Sequence, residues 1–140
     1  MSWIGPKNHE HYSDPTPYEA LNRKHHRPKK ESVVHKPFKP MVYICSPYAG
    51  DVEKNVRNAR KYCRYAFERG AIPIAPHLLF PQFLDDNDSG EREEGLFMGI
   101  ILLNKCKELW VFGDTISAGM KAEIERAKKT KMPIKYIKEV

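Results

Sequence analysis

The sequence predicts an α/β domain built on a parallel β-sheet covered by helices on both faces. Three observations predict it. Short apolar β-type runs, "MVYIC", "AIPIAPH", "ELWVF" and "MPIKYI", alternate with longer stretches of helical periodicity. Polar and glycine-bearing residues collect where those runs end, in "SPYAG", "PHLLF" and "GDTISAG". The composition suits one soluble globular domain: 140 residues, 41% hydrophobic and 30% charged.

The elements follow in order. Residues 1–39 read as a basic arm, extended or partly disordered, with five of the six histidines and a high proline content. One short helix is expected there at "TPYEALNRKHH", with Thr16 as N-cap and Pro17 in the first turn. Residues 40–140 read as the domain. The strand "MVYIC" ends at the turn cluster "SPYAG". In "DVEKNVRNARKYCRYAFERG", Val52, Val56, Ala59, Cys63 and Ala66/Phe67 recur at helical spacing, and Gly70 closes the helix. "AIPIAPH" is a second strand. "LLFPQFLDDNDSGEREE" is a long connection, its acidic residues either a solvated loop or a lid over a site. "GLFMGIILLNKC" is a helix, apolar on most sides, that starts near Ser89 or Glu91. A third strand, "ELWVF", a helix in "SAGMKAEIERAKKTK" and a fourth strand complete a Rossmann- or flavodoxin-like three-layer sandwich. Its sheet is expected to be mostly parallel, with four to five strands.

Charge and cysteine usage exclude several function classes. The net charge of +6 is uneven: residues 1–40 hold 8 Lys/Arg against 4 Asp/Glu, and residues 41–140 hold 16 against 14. A basic arm can touch nucleic acid, but "RKHHRPKK" has no aromatic interleaved for base stacking, so a solvated arm is expected. The start of the chain lacks an apolar segment after a basic stretch, so no secretory leader is expected, nor any membrane span. Cys45, Cys63 and Cys106 lie in apolar settings, which points to reduced thiols and a cytoplasmic home. His9-Glu10-His11 and His25-His26 have no second cluster at ligand spacing, so neither a metal nor a cofactor is expected.

In open parallel sheets ligands sit beyond the carboxyl ends of the strands, where strand order reverses. There Asp114, Ser117 and Gly119 lead into a helix N-terminus, which favours an anion; Ser117 either caps the helix or bonds a ligand oxygen. Glu123 is one helical step from both Met120 and Ala127, on or beside the inward face. Glu125 points away. Tyr43, in the first strand, is either a core aromatic or a site residue. Ser46, Tyr48 and Gly50 occupy the following loop, with Tyr48 suited to stacking on a ring. Asp51 is a cap candidate, and Asn55 and Arg57 could reach an anion at the mouth. His77 is the sole histidine of residues 40–140, available to a substrate or a backbone group.

"VYICSPYAGD", the apolar helix before "CKELWVFG", and "SAGMKAEIERA" followed by "KMPIKYI" resemble the nucleoside 2-deoxyribosyltransferase-like superfamily. The likeness is to its small phage and bacterial branch of domains of unknown function, over about residues 40–138. The resemblance implies cleavage of an N-glycosidic bond. Glu123 would attack the anomeric carbon and Tyr43 would orient it. The loop at Ser117 and Gly119 would hold the 5′ side of a sugar or a 5′-phosphate, with Met120 as a further substrate-binding residue. It also implies dimers or larger assemblies. The sequence departs from the family where Gly99 and Lys107 stand in place of aspartates. Two functions are therefore expected: N-glycosidic transfer or hydrolysis on a nucleoside or nucleotide, or a non-catalytic nucleotide-sensing module on the same fold.

Overall fold

The computed structural model describes residues 37–140. The helix expected at "TPYEALNRKHH", the histidine groups and all but the last three residues of the basic arm lie outside them. The described elements run β1 (Met41–Cys45), α1 (Val52–Glu68), β2 (Ile72–Ile74), a short α2 (Pro76–Leu79), a 3-10 turn (Phe80–Gln82), α3 (Ser89–Asn104), β3 (Glu108–Phe112), α4 (Ala118–Lys129) and β4 (Ile134–Ile137). The strands form one sheet in the order β2-β1-β3-β4, and every neighbouring pair is parallel. The expected α/β class holds. The sheet is wholly parallel rather than mostly so, with four described strands.

Side chains alternate across β1 and β3 because successive residues of a strand point to opposite faces. Val42, Ile44, Trp110 and Phe112 face one way and pack with Ala66, Tyr62, Cys63 and Tyr65 of α1. Tyr43, Cys45, Leu109 and Val111 face the other way and pack with Leu103 of α3 and Met120, Ile124 and Ala127 of α4. Fully burying one such aliphatic or aromatic side chain contributes about 1.5–3 kcal/mol. The helices are placed on the two faces by this alternation.

The helix ends follow local chemistry. Asp51 caps α1 by accepting the Lys54 N–H at 3.2 Å, and Gly70 stops it at φ +83°, where a side chain would be strained. Ala59 and Ala66 are the buried residues of α1, while Val52 and Phe67 stay exposed, against the expectation from spacing. Ala66, one residue before Phe67, is packed in the core, so Phe67 is turned off the buried face. Asp88 caps α3, taking the Glu91 N–H at 3.1 Å. The connection before α3 is not plain loop. Its "PHLLFPQ" segment coils into α2 and the 3-10 turn, which the prolines permit because each sits in a first turn.

Gly99 is buried in the middle of α3, and a Cβ built there would meet only the Tyr43 Oη, at 3.6 Å. That is ordinary van der Waals contact. Gly99→Ala is therefore expected to stabilise the fold by up to about 1 kcal/mol through helix propensity. A chemical denaturation midpoint below the wild-type value would show that the glycine is needed for close packing. The outer face of α3 leaves Leu96, Phe97 and Ile101 exposed. Among the described residues no helix is long and apolar enough to cross a membrane.

Candidate functional site

The crevice at the carboxyl ends of β1 and β3 is the topological switch point. From β1 the chain moves to β2 on one side, then crosses to β3 on the other. The register sets which loops meet there. Cys45 pairs with Val111, so the "SPYAG" and "GDTISAG" loops leave the sheet at the same level. Tyr43 pairs with Ile74, so Ser46 and His77 each stand three residues past one rung. A cavity of about 290 Å³ opens there.

Two walls of the cavity come from predicted residues. Ser46, Tyr48 and His77 form one; Ser117, Gly119 and Met120 form the other. Gly50, at φ +96°, turns the chain into α1 and is not part of the wall. Asp114 also stands outside it and acts on Tyr62 on the α1 side of the sheet. Asn55 does not face the mouth. Its Nδ2 donates to the Tyr48 and Ala49 carbonyls, at 2.9 and 3.0 Å, and so holds the loop that carries Tyr48. Arg57 is drawn off by Glu53 in the previous turn of α1, 4.0 Å away.

Tyr43 and Glu123, 80 residues apart in sequence, meet beside this cavity. The Tyr43 hydroxyl donates to Glu123 Oε2 at 2.7 Å. Tyr43 is 2% exposed, and its phenol is pushed well above its usual range by burial and by the Glu123 charge. It therefore stays protonated and acts as a donor. Burial pushes the Glu123 carboxyl up; the Tyr43 hydrogen bond opposes that rise, as does the nearby Cys45 thiol. The Cys45 Sγ also lies 3.8 Å from the Met120 carbonyl, which fixes the thiol against α4. Burial holds Cys45 itself far above its usual range, so it remains a thiol. Cys63 and Cys106 are likewise pushed up by burial to about 11.

Two buried side-chain oxygens have no partner among the described residues: Ser46 Oγ and Glu123 Oε1. Leaving such groups bare costs free energy, about 1–3 kcal/mol each. A ligand that supplied a donor to each would recover it. Ser117 caps α4, its Oγ accepting the Met120 N–H at 3.2 Å. Ala118 and Gly119, the first two residues of the helix, line the cavity, and their N–H groups have no intrahelical acceptor. An anion is favoured there.

The far wall and roof come from residues that sequence reasoning passed over: Phe80, Leu84, Arg92 and Leu96. Arg92 gave no signal because it sits within the acidic run "GEREE". Asp86 and Glu91, from the acidic connection and the start of α3, also line the cavity. Lys107 stands elsewhere. Its N–H donates to the Met41 carbonyl at the entry of β1 and β3, the opposite edge of the sheet. No acid at position 107 could reach the crevice. Among the described residues no three His, Cys, Asp or Glu side chains are grouped to hold a metal ion.

A family model described as Domain of unknown function (DUF7768) matches residues 40–137. No curated protein matches the chain. Among solved structures, one similar chain is a 2-deoxyribosyltransferase from the psychrotolerant bacterium Bacillus psychrosaccharolyticus. It is 15% identical, aligns over 69% of this chain and 70% of its own, and superposes with a TM-score of 0.55. At that identity the likeness is one of fold.

Proposed function

The chain belongs to the family described as Domain of unknown function (DUF7768), and from its site we propose that it cleaves or transfers the N-glycosidic bond of a nucleoside or nucleoside 5′-monophosphate. One observation carries this reading: a buried carboxylate with one oxygen held by Tyr43 at 2.7 Å and the other bare. A carboxylate oriented in that way, at low local dielectric, is the arrangement of a glycosyl-accepting nucleophile. The N-terminus of α4 takes the sugar 5′ oxygen or a 5′-phosphate. Tyr48 gives a base a face to lie on. The 2-deoxyribosyltransferase of similar fold supports the substrate class.

The test is a turnover assay on purified protein with each deoxynucleoside and its 5′-monophosphate, with and without a second free base. Base release with water alone marks a hydrolase, and exchange marks a transferase. A second reading, a non-catalytic nucleotide-sensing module, is favoured by a specific observation. The cavity wall contains Met120 but neither Tyr43 nor Glu123. Ligand-induced thermal stabilisation without any product would select it.

Association with a second copy belongs to the same proposal. The exposed Leu96, Phe97 and Ile101 of α3 form an apolar face of the kind that pairing covers. A dimer mass in solution is expected, and Phe97→Asp is expected to halve it. A monomer at high concentration would end the idea.

A further inference from the structure

When a base leaves a sugar, the electron pair of the broken bond stays on a base nitrogen, and that nitrogen needs a proton. Gly99 offers no carboxyl beside Tyr43. Besides Tyr48, the cavity wall holds four charged or titratable side chains: His77, Asp86, Glu91 and Arg92. Glu91 is engaged, its Oε1 accepting the Asp85 N–H at 2.6 Å. A guanidinium such as Arg92 does not give up a proton in a protein.

His77 stands differently. It sits in the first turn of α2, level with Ser46 across the β1–β2 register. Its ring stacks on Tyr48, centroids 5.1 Å apart and planes 25° apart. The aromatic surface that suits a base and the one imidazole of the described residues are therefore one unit. Asp86 lines the same cavity.

Building on the glycosyl reading of Glu123, we propose that His77, stacked on Tyr48 in the cavity that Asp86 also lines, is the acid that protonates the leaving base. The bookkeeping closes. A Glu123 oxygen forms a bond to the anomeric carbon. The carbon–nitrogen bond breaks and its pair moves to the base. The imidazolium N–H bond breaks and its proton goes to that nitrogen, leaving neutral His77 and a neutral base. Water then attacks the anomeric carbon, the ester bond returns its pair to Glu123, and the proton of the water returns to His77. Burial lowers the imidazole below its ordinary value, which makes its cation a readier donor; the Asp86 charge opposes that fall without cancelling it.

The experiment compares two substrates. One is a natural purine deoxynucleoside. The other is its N-methylated analogue, whose base is already cationic and departs without a proton. His77→Phe keeps a ring against Tyr48. Its kcat on the natural substrate is expected to fall about 10²-fold or more, the usual size of a lost general acid. Its kcat on the methylated substrate is expected to stay close to wild type. Asp86→Asn should show the same split with a smaller loss. If the thermal transition shows that His77→Phe does not fold, His77→Asn carries the same comparison. Equal losses on both substrates would make His77 only a wall of the site and overturn the proposal, as would unchanged release of the natural base. Wild-type protein that releases neither base overturns the Glu123 reading itself, and the proposal falls with it.

Discussion

Replacing Glu123 by alanine is expected to abolish base release and exchange, by at least about 10⁴-fold, with nucleoside binding retained. The binding surfaces, Tyr48 and the start of α4, are untouched by the change, so thermal stabilisation by ligand should persist. The same substitution removes a charge from a buried place. Burial raises the Glu123 carboxyl above its ordinary value of 4.5. The unfolded chain therefore releases this proton more readily than the folded one. The sign follows: this group's stabilising contribution is complete below about pH 4.5 and is lost as pH rises through the folded-state value. Glu123→Gln removes that loss and is expected to be more stable than wild type at neutral pH, by about 1 kcal/mol, the usual size of relief at a strained functional position. Urea denaturation at acid and neutral pH reads both points. A Gln variant less stable than wild type at neutral pH would mean that the carboxylate holds the fold together and is not a group kept for chemistry.

The second large effect belongs to Tyr43→Phe. The substitution deletes the 2.7 Å bond to Glu123 Oε2 and leaves the ring in the core. Both carboxylate oxygens then lack the tyrosine donor. Turnover at neutral pH is expected to fall about 10²-fold, as when a single preorganised donor is lost from a reacting group. The more discriminating readout is the pH profile. Tyr43 works against the rise that burial imposes on Glu123. Without it the carboxyl ionises at higher pH, so the ascending limb of kcat moves upward. A uniform loss of rate with the limb unmoved would reduce Tyr43 to a packing residue.

Much of the fold is legible in local chemistry. The β-type runs, the helical spacing between them and the polar strand ends predict a parallel α/β sheet with a crevice at the carboxyl edge. Ser117 as a cap and Glu123 one helical step from Met120 and Ala127 are likewise readable, because both depend only on spacing along one helix. The α2 helix was not readable, since four residues are too few to show a period, and its prolines suggest a loop. Nor was Arg92, hidden among glutamates. The pair Ala66/Phe67 shows the limit of a helical stripe: spacing offers two neighbours for one buried place, and packing decides that Ala66 is buried and Phe67 exposed.

By itself, then, the sequence determined the kinds of elements, their order and the inward aim of Glu123. These depend on residues within a few turns of one another. The tertiary structure alone decided who meets whom. Tyr43 touches Glu123, and His77 stacks on Tyr48. These are consequences of sheet register and of which strand sits beside which. A one-residue slip would turn every side chain of a strand to the other face, so register is fixed only when segments far apart in the chain pack together.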